Sequence, residues 1–275
     1  MKQNKVRHTG ARSILVILAV AFVAAVAVGL LVGYEKLRDL WLEQCVVTDM
    51  ASQVTIESGK MVKADVIAEN FGLKVGANLA LIDFAKKRKD VLKQIPELRE
   101  ITIRRKLPAK VSITIEERVP VARMGIRGSK ARTVHVVDTD GVVFRCARDT
   151  RLLPVIREPH EPGTALGHTL APRARAALQV IALCRETEFQ ELGLLEIDIS
   201  KPDFLVATLG ESYAMAKIAW EGMDEVTPAA HLNLVRQITH LRDAIRSRVG
   251  EGAVIWNATD FSRPGCVWAD TKGKL

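Results

Sequence analysis

The chain has 275 residues, a formal net charge of +8 and a pI near 9.4, which leaves room for two small domains once any targeting segment is set aside. Half of the positive excess, Lys2, Lys5, Arg7 and Arg12, stands in the first thirteen residues, where there is no acid. The remainder is too dilute for a dedicated polyanion surface, so a nucleic-acid-binding protein is excluded as the first expectation.

From Ile14 to Gly33 the run "ILVILAVAFVAAVAVGLLVG" carries no charge. As a helix rising about 1.5 Å per residue it spans about 30 Å, the thickness of a bilayer's hydrocarbon core. A cleaved signal peptide is the alternative, and Ala25-Val26-Ala27 has the small-x-small form, but the apolar run continues past it to Gly33. An uncleaved anchor is therefore expected, with 1–13 as a cytoplasmic basic tail, 14–33 as the membrane span, and everything after Tyr34 across the membrane by the positive-inside rule. Cys45, Cys146, Cys184 and Cys266 form no CxxC pair and the histidines do not cluster, so no metal is indicated; disulfides and buried thiols both remain open.

Beyond the span, "YEKLRDLWLEQ" continues the helix into a juxtamembrane segment, 34–50, followed by a short strand at Gln53 to Glu57. "MVKADVIAENFGL" places Val62, Val66, Ile67 and Phe71 at helical spacing, and a second helix from about Leu81 to Ile95 buries Phe84, Val91, Leu92 and Ile95 while Lys86 to Lys89 face water. Two strands follow: Ile101 and Ile103, then Val111, Ile113 and Ile115, joined by a turn at Pro108. Strand, helix, helix, strand, strand predicts two helices on one face of a three-stranded sheet.

From Val121 the pattern turns to β. "TVHVVDTDGVVFR" is a hairpin around Asp140-Gly141, and "LLPVI" is a further strand. A helix from Pro172 to Thr187 buries Ala177, Val180, Ile181 and Cys184, and "LLEIDIS", "DFLVATL" and "SYAMAKIAWE" read as strands. A helix over 229–248 aligns Leu234, Ile238, Leu241 and Ile245 before the closing strands "AVIWNATD" and "CVWAD". The fold class is α+β: a membrane helix, a β-α-α-β-β unit over 51–119, and a mixed β-rich domain with packed helices over 120–275.

These residues resemble the FtsQ/DivIB family of bacterial cell-division membrane proteins. The stretch "RRKLPAKVSITIEERVPVARM" matches the family's strand, proline turn, strand and Glu-Arg-x-Pro-x-Ala junction, here Glu117 to Ala122, and "VVDTDGVVF" and "LLPVI" match its later signatures. The resemblance implies a polypeptide-transport-associated (POTRA) domain, then an FtsQ-type β domain. It also implies a non-enzymatic scaffold linking early division proteins to late septal peptidoglycan synthesis at the inner membrane. Partners would be membrane proteins of the FtsB/FtsL (DivIC) type, with no cofactor, nucleic acid or small-molecule substrate. The implied docking site is the end of the β domain, where Trp256, Cys266, Val267, Trp268 and Ala269 form a terminal edge with aromatic anchors; core packing of both tryptophans is the alternative. A charge at Val267 is expected to block docking without unfolding the protein. Glu117, Arg118, Pro120, Val121 and Ala122 form the expected interdomain hinge.

Two other readings compete. A POTRA unit also suits an envelope assembly or secretion factor, which would need a cleaved signal and many barrel strands. "VVDTDGVVF" also fits a haloacid dehalogenase-like phosphatase with Asp138 as nucleophile and Asp140 as acid/base, although the simpler reading is an Asp-Gly turn capped by Asp138.

Overall fold

The computed structural model of the chain describes residues 8–106, 108–125, 134–146, 148–157, 166–210, 214–247, 255–263 and 265–270. Residues 1–7 of the expected tail and His160 lie outside them. The chain divides into two compact units, one of 1–57, 64–88 and 102–114, the other of 58–63, 89–101 and 115–275. The segment 51–119 thus contributes to both.

In the first unit, helix α1 (His8–Gln44) runs unbroken through the apolar segment into the juxtamembrane residues, and its stretch Val20–Gln44 is long and apolar enough to cross a membrane. The end of α1 is latched to a turn thirty residues on. Val47 N–H donates to the Ala77 carbonyl at 2.8 Å, Gly76 N–H to Val47 at 2.8 Å, Leu79 N–H to Cys45 at 3.0 Å, and Asn78 Nδ2 to Leu42 at 2.9 Å. Cys45, Val47 and Leu79 close beneath these bonds, all buried.

A single turn, α2 (Met50–Gln53), is capped by Asp49, which accepts from Ala51 and Ser52 N–H, while Gln53 reaches back to accept from Thr48 and Asp49 N–H. Strand β1 (Val54–Glu57) leads to helices α3 (Ala64–Phe71) and α4 (Phe84–Gln94), whose apolar faces meet where Phe71 and Phe84 stack at 6.0 Å. Strands β2 (Leu98–Lys106) and β3 (Lys110–Glu117) complete a sheet of order β1-β3-β2, with β1 parallel to β3. Ile101, Val111, Ile113 and Ile115 are buried as the alternation predicts.

Both helices start later than expected, for local reasons. Met61 and Val62 N–H are committed to a side chain elsewhere, so α3 begins at Ala64; Val62 is buried from the loop, and Val66 is 41% exposed. Asp83 accepts from Lys86 N–H and fixes the start of α4, leaving Leu81 outside. Arg105, the middle base of Arg104-Arg105-Lys106, lies 4.2 Å over the Phe84 ring and donates to the Ile82 carbonyl at 2.8 Å, so it covers the end of the apolar row.

The second unit is organised on a nine-stranded sheet. Its strands are β4 (Ala122–Met124), β5 (Val134–Val137), β6 (Val143–Cys146), β7 (Val155–Arg157), β8 (Leu194–Asp198), β9 (Phe204–Leu209), β10 (Ala214–Ala219), β11 (Ile255–Asn257) and β12 (Trp268–Asp270). Their order is β12-β11-β10-β9-β8-β7-β4-β5-β6. The β5–β6 hairpin pairs Val137 with Val143, and Gly141 takes φ 78° in its turn, a conformation that favours glycine.

Helices α5 (Pro172–Cys184), with proline at its first turn, and α6 (Pro228–Ser247) share one apolar core with the sheet, in which Ile156, Ile197, Leu205, Ala216 and Ile218 meet Ala177, Ile181, Leu234, Ile238 and Leu241. Gln237 interrupts the apolar stripe of α6 yet is wholly buried: its side chain accepts from Ala219 N–H at 2.6 Å and donates to the Ala219 carbonyl at 3.3 Å, fastening α6 to the end of β10. The four cysteines are free, and burial pushes the Cys184 thiol up to about 12, which makes it an inert core group.

Candidate functional site

Glu117 and Arg118, neighbours at the end of β3, each hold a separate part of the second unit. The Glu117 side chain is 8% exposed, and its Oε1 accepts from the N–H groups of Met61 at 2.6 Å and Val62 at 2.8 Å. Its Oε2 accepts from Lys60 N–H at 3.0 Å and from Arg148 Nη2 at 2.8 Å. A methyl group at Gly59 would lie 2.1 Å from the Glu117 carboxyl carbon, so any side chain there would displace the carboxylate over which the loop 58–63 closes. Met61, held in this way, packs on Val136, Phe144 and Cys146 of the β5–β6 hairpin.

Burial by itself raises the Glu117 pKa. The N–H groups of Val62, Met61 and Lys60, with the Arg148 cation, more than offset that and hold it below its ordinary 4.5. A depressed folded value contributes stability above the unfolded pKa and loses it as the pH falls through the folded one. Glu117→Gln is therefore expected to remove part of the acid-limb dependence of the melting temperature below about pH 4.5, while lowering stability at neutral pH. Wild-type and variant acid limbs that superimpose would refute the clamp.

Arg118 reaches the other way. Its N–H donates to the Glu97 carbonyl at 2.8 Å and its Nε to Pro96 at 3.1 Å, while Nη1 pairs with the Asp138 carboxylate and lies 3.5 Å from Asp140. Asp138, buried in the hairpin turn, also accepts from Asp140 N–H at 3.0 Å and Val142 N–H at 2.9 Å. Of the residue that a phosphatase would use as nucleophile, Oδ1 thus closes the turn and Oδ2 pairs with Arg118. Arg99 completes the group with Nε 3.3 Å from Asp140. Of the other expected hinge residues, Val121 and Ala122 are buried and Val121 N–H donates to Val137 at 2.8 Å; Pro120 sits between these and the exposed Val119. Gly59, Lys60 and Arg148 are not marked by the sequence, because nothing local pairs a loop more than fifty residues away, or an arginine 31 residues away, with this carboxylate.

At the far end of the sheet β11 pairs parallel with β10, and β12 pairs antiparallel with β11, so that Asn257 faces Trp268 and Ile255 faces Asp270. β12 is the outermost strand in the order. The expected edge residues divide. Trp256 and Val267 are buried in the core shared with the helices, and Ala269 packs against it. Trp268 is 52% exposed, and Cys266 lies half-buried in the turn before the strand. A charge at Val267 would enter the core and unfold this end of the sheet, so the expectation that such a variant still folds is corrected.

An apolar helix, a three-stranded sheet carrying two helices and a β-rich C-terminal region together define a POTRA-domain protein with an N-terminal apolar helix. Residues 51–118 match the family described as POTRA domain, FtsQ-type. The chain is also 28% identical over 104 residues to the cell division protein DivIB of Clostridium acetobutylicum, a stretch that covers 38% of this chain and 40% of that relative. These findings support a protein of the FtsQ/DivIB family.

Proposed function

We propose that the protein is a non-enzymatic, bitopic scaffold of bacterial cell division, in which 1–13 lie in the cytoplasm, 14–33 span the inner membrane and the exported residues dock other division proteins at the septum. In this reading 34–50 lead from the membrane, 51–119 are the POTRA domain, 120–275 are the β domain, and Glu117, Arg118, Pro120, Val121 and Ala122 form the joint. The observation that carries it is the β12 edge: an outermost strand beside a half-exposed tryptophan, to which a small single-span partner of the FtsB/FtsL (DivIC) type adds a strand. Backbone bonds supply affinity in such an addition, and Trp268 supplies the anchor. The FtsQ-type family match and the DivIB relative favour this role over catalysis.

Depletion in the native host is expected to give filamentous cells with undivided septa, and a fluorescent fusion at the N terminus a mid-cell band. Normal division after clean loss of the gene, with an even envelope signal, overturns the proposal.

A further inference from the structure

The first unit carries cations and exposed apolar side chains that the β12 docking edge does not use. Lys74, Lys86, Lys87, Arg104, Arg105 and Lys106 are all exposed, and the segments that hold them, 74–88 and 104–106, contain a single acid, Asp83, which is occupied at the start of α4. Among them stand Val75, 64% exposed, and Leu81, 73% exposed.

The contacts bring these groups to one end of the unit. The residues between Val75 and Leu81 are the latch itself, bonded through Gly76, Ala77, Asn78 and Leu79 to the end of α1. Three residues after Leu79, Ile82 receives the Arg105 guanidinium, which draws the end of β2 alongside. Lys86 and Lys87 are in the first turn of α4, which Asp83 starts, and Lys87 Nζ reaches the Asn70 carbonyl at 3.1 Å. The cluster is therefore tied, through the latch, to the point where α1 ends.

Gly33, the last apolar residue of the uncharged run, and Leu42, where the latch begins, belong to one continuous helix. Nine residues at about 1.5 Å each put the latch roughly 14 Å beyond the hydrocarbon edge. The headgroup layer occupies about 5–7 Å of that distance. The remaining gap is comparable to the Debye length of about 8 Å at physiological salt, so cations there feel the charge of the lipid surface.

We infer that this face of the first unit is held against the anionic lipid surface of the leaflet from which α1 emerges, its long basic side chains reaching across that gap toward lipid phosphates and Val75 and Leu81 facing the headgroup layer. The inference rests on the reading of α1 as a membrane span. Attraction of a basic side chain to an anionic surface favours the docked state by roughly fivefold per charge, so several cations together hold an otherwise free unit against the bilayer.

The test uses the full chain in nanodiscs, with a fluorophore on Leu81→Cys in a Cys266→Ser background, since Cys45, Cys146 and Cys184 are buried. The quencher is carried on lipid headgroups. Quenching is expected to rise at least about fivefold when a third of a phosphatidylcholine bilayer is replaced by phosphatidylglycerol. The gain is expected to vanish in Lys86→Glu/Arg104→Glu/Lys106→Glu and to survive in Lys86→Arg/Lys106→Arg, with unfolding unchanged in both. Quenching indifferent to lipid charge, or untouched by the three glutamates, overturns the inference. So does quenching that is weak on anionic lipid while the probe is shielded in native membranes, because the face then meets an acidic protein. A chain that alkaline carbonate strips from vesicles refutes the membrane span itself, an outcome separate from an integral chain whose probe ignores lipid charge.

Discussion

Replacing Arg118 by methionine is expected to cost about 3 kcal/mol of folding stability, because it leaves the Asp138 carboxylate buried without its cation. The two side chains are only 15% and 3% exposed, which sets this pair apart from the surface ion pairs of the chain, such as Arg151 with Asp149 at 85% and 61%. In a unit of this size the loss corresponds to a drop of roughly 6–12 °C in melting temperature. Asp138→Asn should also destabilise, since the amide cannot meet the guanidinium as a charge. The double variant is expected to lie well above the sum of the two, because an asparagine carbonyl can still accept from Asp140 and Val142 N–H, and no buried charge then remains alone. Thermal unfolding followed by tryptophan fluorescence on the four proteins decides this; additive losses would mean that the Arg118 side chain acts only through its bond to Pro96.

Truncating the two terminal tryptophans should have opposite consequences. Trp268→Ala is expected to weaken capture of the proposed single-span partner by roughly thirtyfold, the effect of losing an anchor worth about 2 kcal/mol, with the melting temperature unchanged. Trp256→Ala should cost about 3–5 kcal/mol of stability, because that ring is 4% exposed within the core. Equilibrium binding of the purified full chain in detergent, beside its unfolding curve, separates the two. Unaltered binding by a folded Trp268→Ala protein would move the interface away from β12.

The contrast also marks how far the sequence could be read. Element types were legible wherever one periodicity held long enough: α6 from Leu234, Ile238 and Leu241, β3 from Val111, Ile113 and Ile115, and the β5–β6 turn from Asp138 to Gly141. Element starts were less so. At α3 the N–H groups that would have opened the helix bond instead to Glu117, and no pattern within Met61 to Leu73 signals that. The same distance problem hid the strand order. β7 lies parallel between β4 and β8, and β10 parallel to β11; α5 and α6 carry the chain from β7 to β8 and from β10 to β11, and the β5–β6 hairpin stands between β4 and β7, so no adjacent turn announces these pairings. Of the site, Glu117 and Arg118 stood out in the sequence, but the loop 58–63, Arg99, Arg148 and the Pro96 carbonyl did not. Burial decided the edge: alternation assigns Val267 and Trp268 to opposite faces, and only the packing of α6 tells which of them is covered.

The parallel pairing of β10 with β11 has a consequence for when the edge comes into being. The two strands are joined by the crossover through α6, so β11 has no place to add until that helix has been made and seated on the sheet by Gln237. Among the described residues β12 then pairs with β11 alone. Long-range strand pairings of this kind form late, after their loop-closure entropy has been met by earlier contacts. A chain made from its N-terminal end therefore completes the β12 edge only after the rest of the sheet, so a copy truncated before β11 would lack that edge altogether.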